Sequence, residues 1–283
     1  FSSDSPFYFN NLSDTKIFES LLKVDSGNLE EALAITTNAM REVIMLSAKD
    51  GTDEVFKVYD SFALYHVDFF NLKLSEKHGY SHRDDIKNLA AVIKHYAKQI
   101  VGRQCGNKQL TEKMYTTYFD SLPDSRSMWR LKLFVLSLCP QDFKEKLRDS
   151  FFRLFTTDRY HEIISGTEYE NTLGVGFSVL EETDKRQFVK NIIEYFVQKD
   201  KDKENEKENW HLRYGSQILS MIANQLTEKE RQIAKEMKFS IDSTYKPEPE
   251  GDGMRSGSVH PQAPIVIEEF EKLSIQDISE KLK

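Results

Sequence analysis

The chain has 283 residues, 39% of them hydrophobic and 30% charged, with a formal net charge of -7. That length and apolar content suffice for a large buried core, while the acidic balance argues against a protein whose whole surface neutralises phosphates. Cys105 and Cys139 form no CxxC or Cys/His spacing, so the sequence signals neither a zinc site nor a disulfide framework, and a reducing, cytoplasmic setting is expected.

With 12 Gly and 7 Pro, the chain is poor in helix breakers. Asp14 is positioned to cap a short helix carrying Ile17, Phe18, Leu21 and Leu22 on one face. Ser26, Gly27 and Asn28 read as a turn. From Leu29 to Ala48, apolar residues including Leu33, Met40, Val43 and Ile44 recur at helical spacing. The 52–76 stretch places Phe56, Tyr59, Phe62, Tyr65, Phe69 and Phe70 three or four residues apart, which predicts another helix with an aromatic stripe facing the core. Ser81 and Asp84 resemble a capping box, and Ile86, Leu89, Ile93, Tyr96 and Ile100 define the next buried face. Residues 102–106 read as its exit turn.

A helix over 111–122 follows, then the most apolar run, Met128 to Leu138, which predicts the most enclosed helix. Pro140 suits the first turn of its successor, where a missing N–H costs little. A short helix is predicted over 159–164. Residues 168–180 are ambiguous, because Leu173, Val175, Phe177 and Val179 alternate as in a strand while Leu173, Phe177 and Leu180 fit a helix; helices on both sides favour helix or irregular structure. Thr183 starts a helix with Phe188, Val189, Ile192, Ile193 and Phe196 inward. The charged run 199–208 reads as a solvated end or loop, since its charges nearly cancel. Leu212 to Leu226 form a further inward face, and Thr227 with Glu230 is a capping box for the last helix of the series.

Beyond Ser240 the periodicity stops. Proline and glycine crowd residues 246–264, which predicts an extended linker, and apolar residues return over 265–283 as two short helices that dock back or onto a partner. No apolar run approaches the roughly 20 residues of a membrane-spanning helix; Leu131 to Leu138 contains Lys132 and stops before Pro140. A start at Phe1 and an end inside a helical pattern are expected of part of a larger protein.

Motifs for chemistry are sparse. Gly174 and Gly176 lack the Gly-Lys-Ser/Thr ending of a P-loop and the third glycine of a dinucleotide fingerprint. His66, His78, His82 and His95 with Asp84 and Asp85 are the best metal candidates, and among them His78, His82, Asp84 and Asp85 would serve a metal-dependent hydrolase. No HExxH run supports them, and a surface role is favoured. Arg126, Arg130, Lys132, Lys144, Lys146 and Arg148 alternate with aromatics as in a nucleic-acid surface, but Asp124, Asp142, Glu145 and Asp149 dilute the patch. No cofactor site is signalled.

The last part, over about 151–283, resembles the C-terminal helical region of large bacterial proteins that carry a STAND-type or related P-loop ATPase upstream, some of them in anti-phage defence. The resemblance rests on Glu181-Glu182-Thr183 leading to a helix ending at Phe196, on the run Gln217 to Ala223, and on Arg255 to Pro261 followed by Ile265, Glu268, Glu269 and Leu273 to Ile278. It implies a helical scaffold or sensor arm. No Walker motif occurs here, so the ATPase would belong to another part of such a protein.

The expected architecture is all-α: antiparallel helix pairs stacked as an irregular, HEAT- or TPR-like repeat array over 1–245, with the linker 246–264 and the helices 265–283 after it. The expected function is a noncatalytic scaffold binding a protein partner or an upstream domain of the same polypeptide, with no nucleic acid and no membrane.

Overall fold

Local signals start three of the described helices. Ser125 ends an extended approach and its hydroxyl accepts the Met128 N–H; Asn107 accepts the Leu110 N–H in the same way. Thr227 and Glu230 form the predicted capping box, each side chain accepting the other's backbone N–H. In the computed structural model, residues 14–47, 56–58, 64, 67–74, 82–156, 167–202 and 210–247 are described, all within a unit spanning Phe1–Glu250. The predicted helices over 159–164 and 265–283, and the linker beyond Pro247, lie outside the described residues.

The described residues are all-α: α1 (Asp14–Leu21), α2 (Leu29–Ser47), α3 (His82–Gln104), α4 (Lys108–Tyr118), α5 (Arg126–Ser137), α6 (Lys144–Phe152), α7 (Thr167–Gly176), α8 (Glu182–Asp202), α9 (Trp210–Met221) and α10 (Glu228–Glu236). Short 3-10 turns follow α6, α7 and α9. The strongest pairings are α2 with α3, α5 with α7, and α8 with α9; α3 also packs on α1, α4 and α5, and α7 on α6 and α9. The result is the expected array of packed helix pairs, in which each pair buries an apolar stripe against the next.

α5 is the most enclosed of these elements: ten of its residues are buried, from Arg126 to Leu131 and from Leu133 to Leu136. Each fully buried Leu, Val or Phe there contributes about 1.5–3 kcal/mol of transfer free energy. A second focus is Phe188 on α8, whose ring lies 5.4–6.4 Å from those of Phe151, Phe152, Phe155 and Phe177, in tilted or edge-on contacts.

The ambiguous 168–180 stretch resolves as helix, α7 with a 3-10 extension. Leu173 and Phe177 are buried while Val175 is 50% exposed, which is the i, i+4 pattern rather than strand alternation.

Three sequence expectations are corrected. First, the described parts of 52–76 do not form the expected α-helix: Leu64 is in a 3-10 turn, and Val67 to Leu74 runs as an irregular segment with one turn. The aromatic stripe does point inward, with Phe56 and Phe69 buried, but the backbone finds side-chain partners instead of a helical ladder. Second, α4 begins at Lys108, because Asn107 caps it, and not at Thr111. Third, Pro140 lies in the turn before α6, where the Asp142 N–H donates to the Cys139 carbonyl and the Phe143 N–H to that of Pro140.

α10 closes with Lys238 at φ 69°; the Phe239 N–H reaches the Ala234 carbonyl and the Lys238 N–H that of Lys235, a Schellman ending. The chain then returns along α9. The Ser240 and Asp242 N–H groups donate to the hydroxyls of Ser216 and Ser220. Gly215 makes this approach possible, since a Cβ there would stand 2.5 Å from the Phe239 ring.

Candidate functional site

The most concentrated charge in the described interior joins α3, α5, α7 and the 67–74 segment. Arg130 Nε donates to Glu168 Oε2 at 2.6 Å, with both side chains essentially inaccessible. Glu168 Oε1 accepts the Phe69 N–H at 2.5 Å, across 99 residues of sequence. Asp68 Oδ1 accepts from the N–H groups of Phe70 and Asn71, and Lys94 Nζ donates to the Phe70 and Leu72 carbonyls at 2.8 and 3.0 Å. Lys94 also sits 5.3 Å from the centre of the Phe134 ring.

Burial pushes the Glu168 carboxyl above its ordinary value, against the pull of Arg130 and of the Phe69 N–H. Burial also brings Lys94 down to about 8, opposed by Asp68. Perturbed groups in a cleft would suggest catalysis. Here each is engaged with backbone groups of one irregular segment, so the cluster's chemistry is that of a clamp on Val67 to Leu74.

A second perturbed carboxyl, Glu170 on α7, accepts a hydrogen bond from the Tyr245 hydroxyl at 3.1 Å. Burial raises it from 4.5 to about 7, although the Tyr245 bond pulls it down. An acid raised in the folded state holds its proton there while the unfolded chain has lost it, so its contribution to stability is present below about 4.5 and is lost as pH rises to about 7. Glu170→Gln keeps an acceptor for Tyr245. It is expected to flatten the pH dependence over that window and to stabilise the chain by roughly 1–2 kcal/mol at pH 8. Urea midpoints of both chains at pH 5 and pH 8 check this, and parallel pH slopes would contradict it.

Turning outward, α2 has two apolar faces. Leu33, Met40, Val43 and Ile44 are buried, mainly against α3, yet Ile35, Met45 and Leu46 are 62%, 52% and 63% exposed. Ile35, Ala39, Glu42 and Leu46 follow the i, i+4, i+7, i+11 spacing of one helical stripe, with Glu31 a turn before Ile35. A mixed stripe thus faces away from the core, with exposed Ile35 and Leu46 on either side of exposed Glu42 and half-buried Ala39. The sequence already held this signal, because α2 has apolar residues on more of its circumference than one packed face needs.

The cysteines are paired. Cys105, just after α3, and Cys139, just after α5, form a disulfide with Cα atoms 5.7 Å apart. The sequence signalled no disulfide framework, and the bridge removes the ground for expecting a reducing setting; spacing alone did not reveal it because the partners are 34 residues apart and meet through the α3–α5 contact. Cys105 is exposed and Cys139 is buried.

Of the sequence-derived metal candidates, His66 and His78 lie outside the described residues. His82 and Asp84 lie in the first turn of α3 with side chains outside the description, and Asp85 is half-buried beside them. His95 lies farther along α3 and meets Gln99 through Nε2 at 2.6 Å. The basic cluster does not form one surface: Arg126 and Arg130 are buried, while Lys144 pairs with Glu181, Lys146 with Asp120, and Arg148 with Asp184. A groove of about 170 Å³ where α2 starts beside the end of α3 is smaller than the roughly 300 Å³ of small-molecule sites. Arg103 there donates to the Ser26 carbonyl and Gln104 to Glu30. Among the described residues, no helix is long and apolar enough to cross a membrane.

Comparison with protein-family models, with curated proteins and with solved structures finds no match to this chain.

Proposed function

We propose that the chain is a noncatalytic helical module of a larger bacterial multidomain protein, and that it binds a protein partner through the outer face of α2. The carrying observation is the exposure of Ile35 and Leu46 on one stripe, with Met45 exposed to the side of it, on a helix whose opposite face is already buried. Its occupant is an amphipathic helix that presents both apolar and basic residues: Glu31 and Glu42 lie along the same stripe as Ile35 and Leu46, and the whole chain carries a net charge of -7. The likeness to the helical arms of STAND-type ATPases supports the same role, in which such an array couples binding to a distant domain.

An 18-residue peptide with leucines on one helical face and lysines beside them serves as the probe. By fluorescence anisotropy, the chain is expected to bind it with a dissociation constant on the order of 10–100 μM, and Ile35→Asp with Leu46→Asp to weaken it at least tenfold. Equal binding by the double variant would reject the α2 face. The alternatives are a metal-dependent hydrolase at His78, His82, Asp84 and Asp85 and a nucleic-acid-binding domain. A stoichiometric transition metal retained after both cysteines are replaced by serine would favour the first. Salt-sensitive retention of DNA or RNA would favour the second.

A further inference from the structure

We propose that Cys105, Cys139 and Asp142 form a binding site for a thiophilic divalent cation, Zn2+ above all, when the disulfide between the two cysteines is reduced. The two sulfurs and a carboxylate oxygen of Asp142 all lie within 4.8 Å of one another. Two thiolates and one carboxylate suit a borderline-soft cation with tetrahedral preference and leave its fourth position for water. Exposed Cys105 gives that position access to solvent, while Cys139 and Asp142 are buried.

The surroundings hold the donors in place. Cys139 and Asp142 are two residues of one tight turn, closed by the Asp142 N–H on the Cys139 carbonyl. Asp142 Oδ2 accepts from the Gly106 N–H at 3.0 Å and from the Thr111 hydroxyl at 2.9 Å. Both bonds fall on the same oxygen and fix the orientation of the carboxylate, as outer-shell partners of a metal ligand do. Gly106, at φ +92°, adopts the left-handed turn that brings its N–H to Asp142 directly after Cys105.

The reductant is a dithiol. One of its thiolates attacks exposed Cys105 Sγ, the S–S bond breaks, and the Cys139 thiolate leaves and takes up a proton. The second reductant thiolate then displaces Cys105, so the reductant leaves as a disulfide and the protein carries two thiols. Two thiolates beside the Asp142 carboxylate would repel one another; a divalent cation offsets that charge, and its binding releases both thiol protons. Affinity therefore rises with pH. This site is independent of the α2 face and of any partner.

The test uses the full chain and Zn2+ alone. Reduced with a phosphine under nitrogen and then desalted, the chain is expected to retain roughly one Zn2+, and the oxidised chain none above background. Co2+ in place of Zn2+ should give near-ultraviolet thiolate-to-metal absorption. Cys105→Ser, at an exposed position, should lower Zn2+ affinity at least about tenfold with an unchanged circular dichroism spectrum; Asp142→Asn should do the same where it keeps that spectrum. The proposal is overturned if the reduced chain retains no Zn2+, if Cys105→Ser binds as the parent does, or if the oxidised chain binds equally.

Discussion

Glu168→Ala is expected to destabilise the chain by about 3–5 kcal/mol, the largest effect of any single polar substitution described here. Glu168 joins Arg130 of α5 and the Phe69 N–H in a site that water does not reach. Removing the carboxylate takes its main counter-charge from the buried guanidinium and leaves the Phe69 N–H without its acceptor. Glu168→Gln keeps one acceptor oxygen but turns an NH2 against the other donor and removes the counter-charge of Arg130, so its loss should also reach about 3 kcal/mol. Urea denaturation measures both values. Hydrogen exchange adds a local readout: in Glu168→Ala the amides of Phe69 to Asn71 should lose protection before those of α5. A loss below about 1 kcal/mol for the alanine variant would mean that the pair does not clamp the 67–74 segment.

Reducing the disulfide in the presence of a chelator is expected to cost about 4 kcal/mol. The bridge closes a loop with a sequence separation of 34, and releasing a loop of that size restores roughly this much conformational freedom to the unfolded chain. In a domain of this length that corresponds to a fall of roughly 10 °C in Tm. Cys105→Ser should reproduce the fall without any reductant, because exposed Cys105 contributes little packing of its own. An unchanged Tm on reduction, together with two thiols titrated in the untreated chain, would show that the cysteines are not bridged in solution. A smaller fall when Zn2+ replaces the chelator is what the proposed cation site requires, since the metal would close the same loop.

What the sequence disclosed was local. The Thr227 and Glu230 box, the course of α2 and the enclosed run of α5 each depend on residues within a few turns of one another, and periodicity reads such patterns directly. The 52–76 stretch misled for a physical reason: inward aromatics three and four residues apart are compatible with a helix and also with an irregular segment whose polar backbone is held from outside. The holders, Glu168 and Lys94, come from other helices, and the Phe69 to Glu168 bond spans 99 residues. The disulfide was hidden by the same kind of distance. Asn107 was a legible cap that the glycine before it disguised as an exit turn. On the α2 face the signal was present in the sequence, but only burial of the opposite side shows that Ile35 and Leu46 are surplus to the core.

The proposed binding role rests on the contrast between buried charges turned to the chain's own backbone and exposed apolar residues on α2. Glu168 and Lys94 hold backbone groups of the 67–74 segment, whereas α2 offers apolar and acidic groups to solvent. The most direct measurement is chemical-shift mapping of the isotopically labelled chain during titration with the basic amphipathic peptide. The binding account predicts that the largest changes cluster on Glu31, Ile35, Ala39, Glu42 and Leu46 and vanish in the Ile35→Asp, Leu46→Asp variant. Changes centred on another helix, or none at saturating peptide, would contradict it.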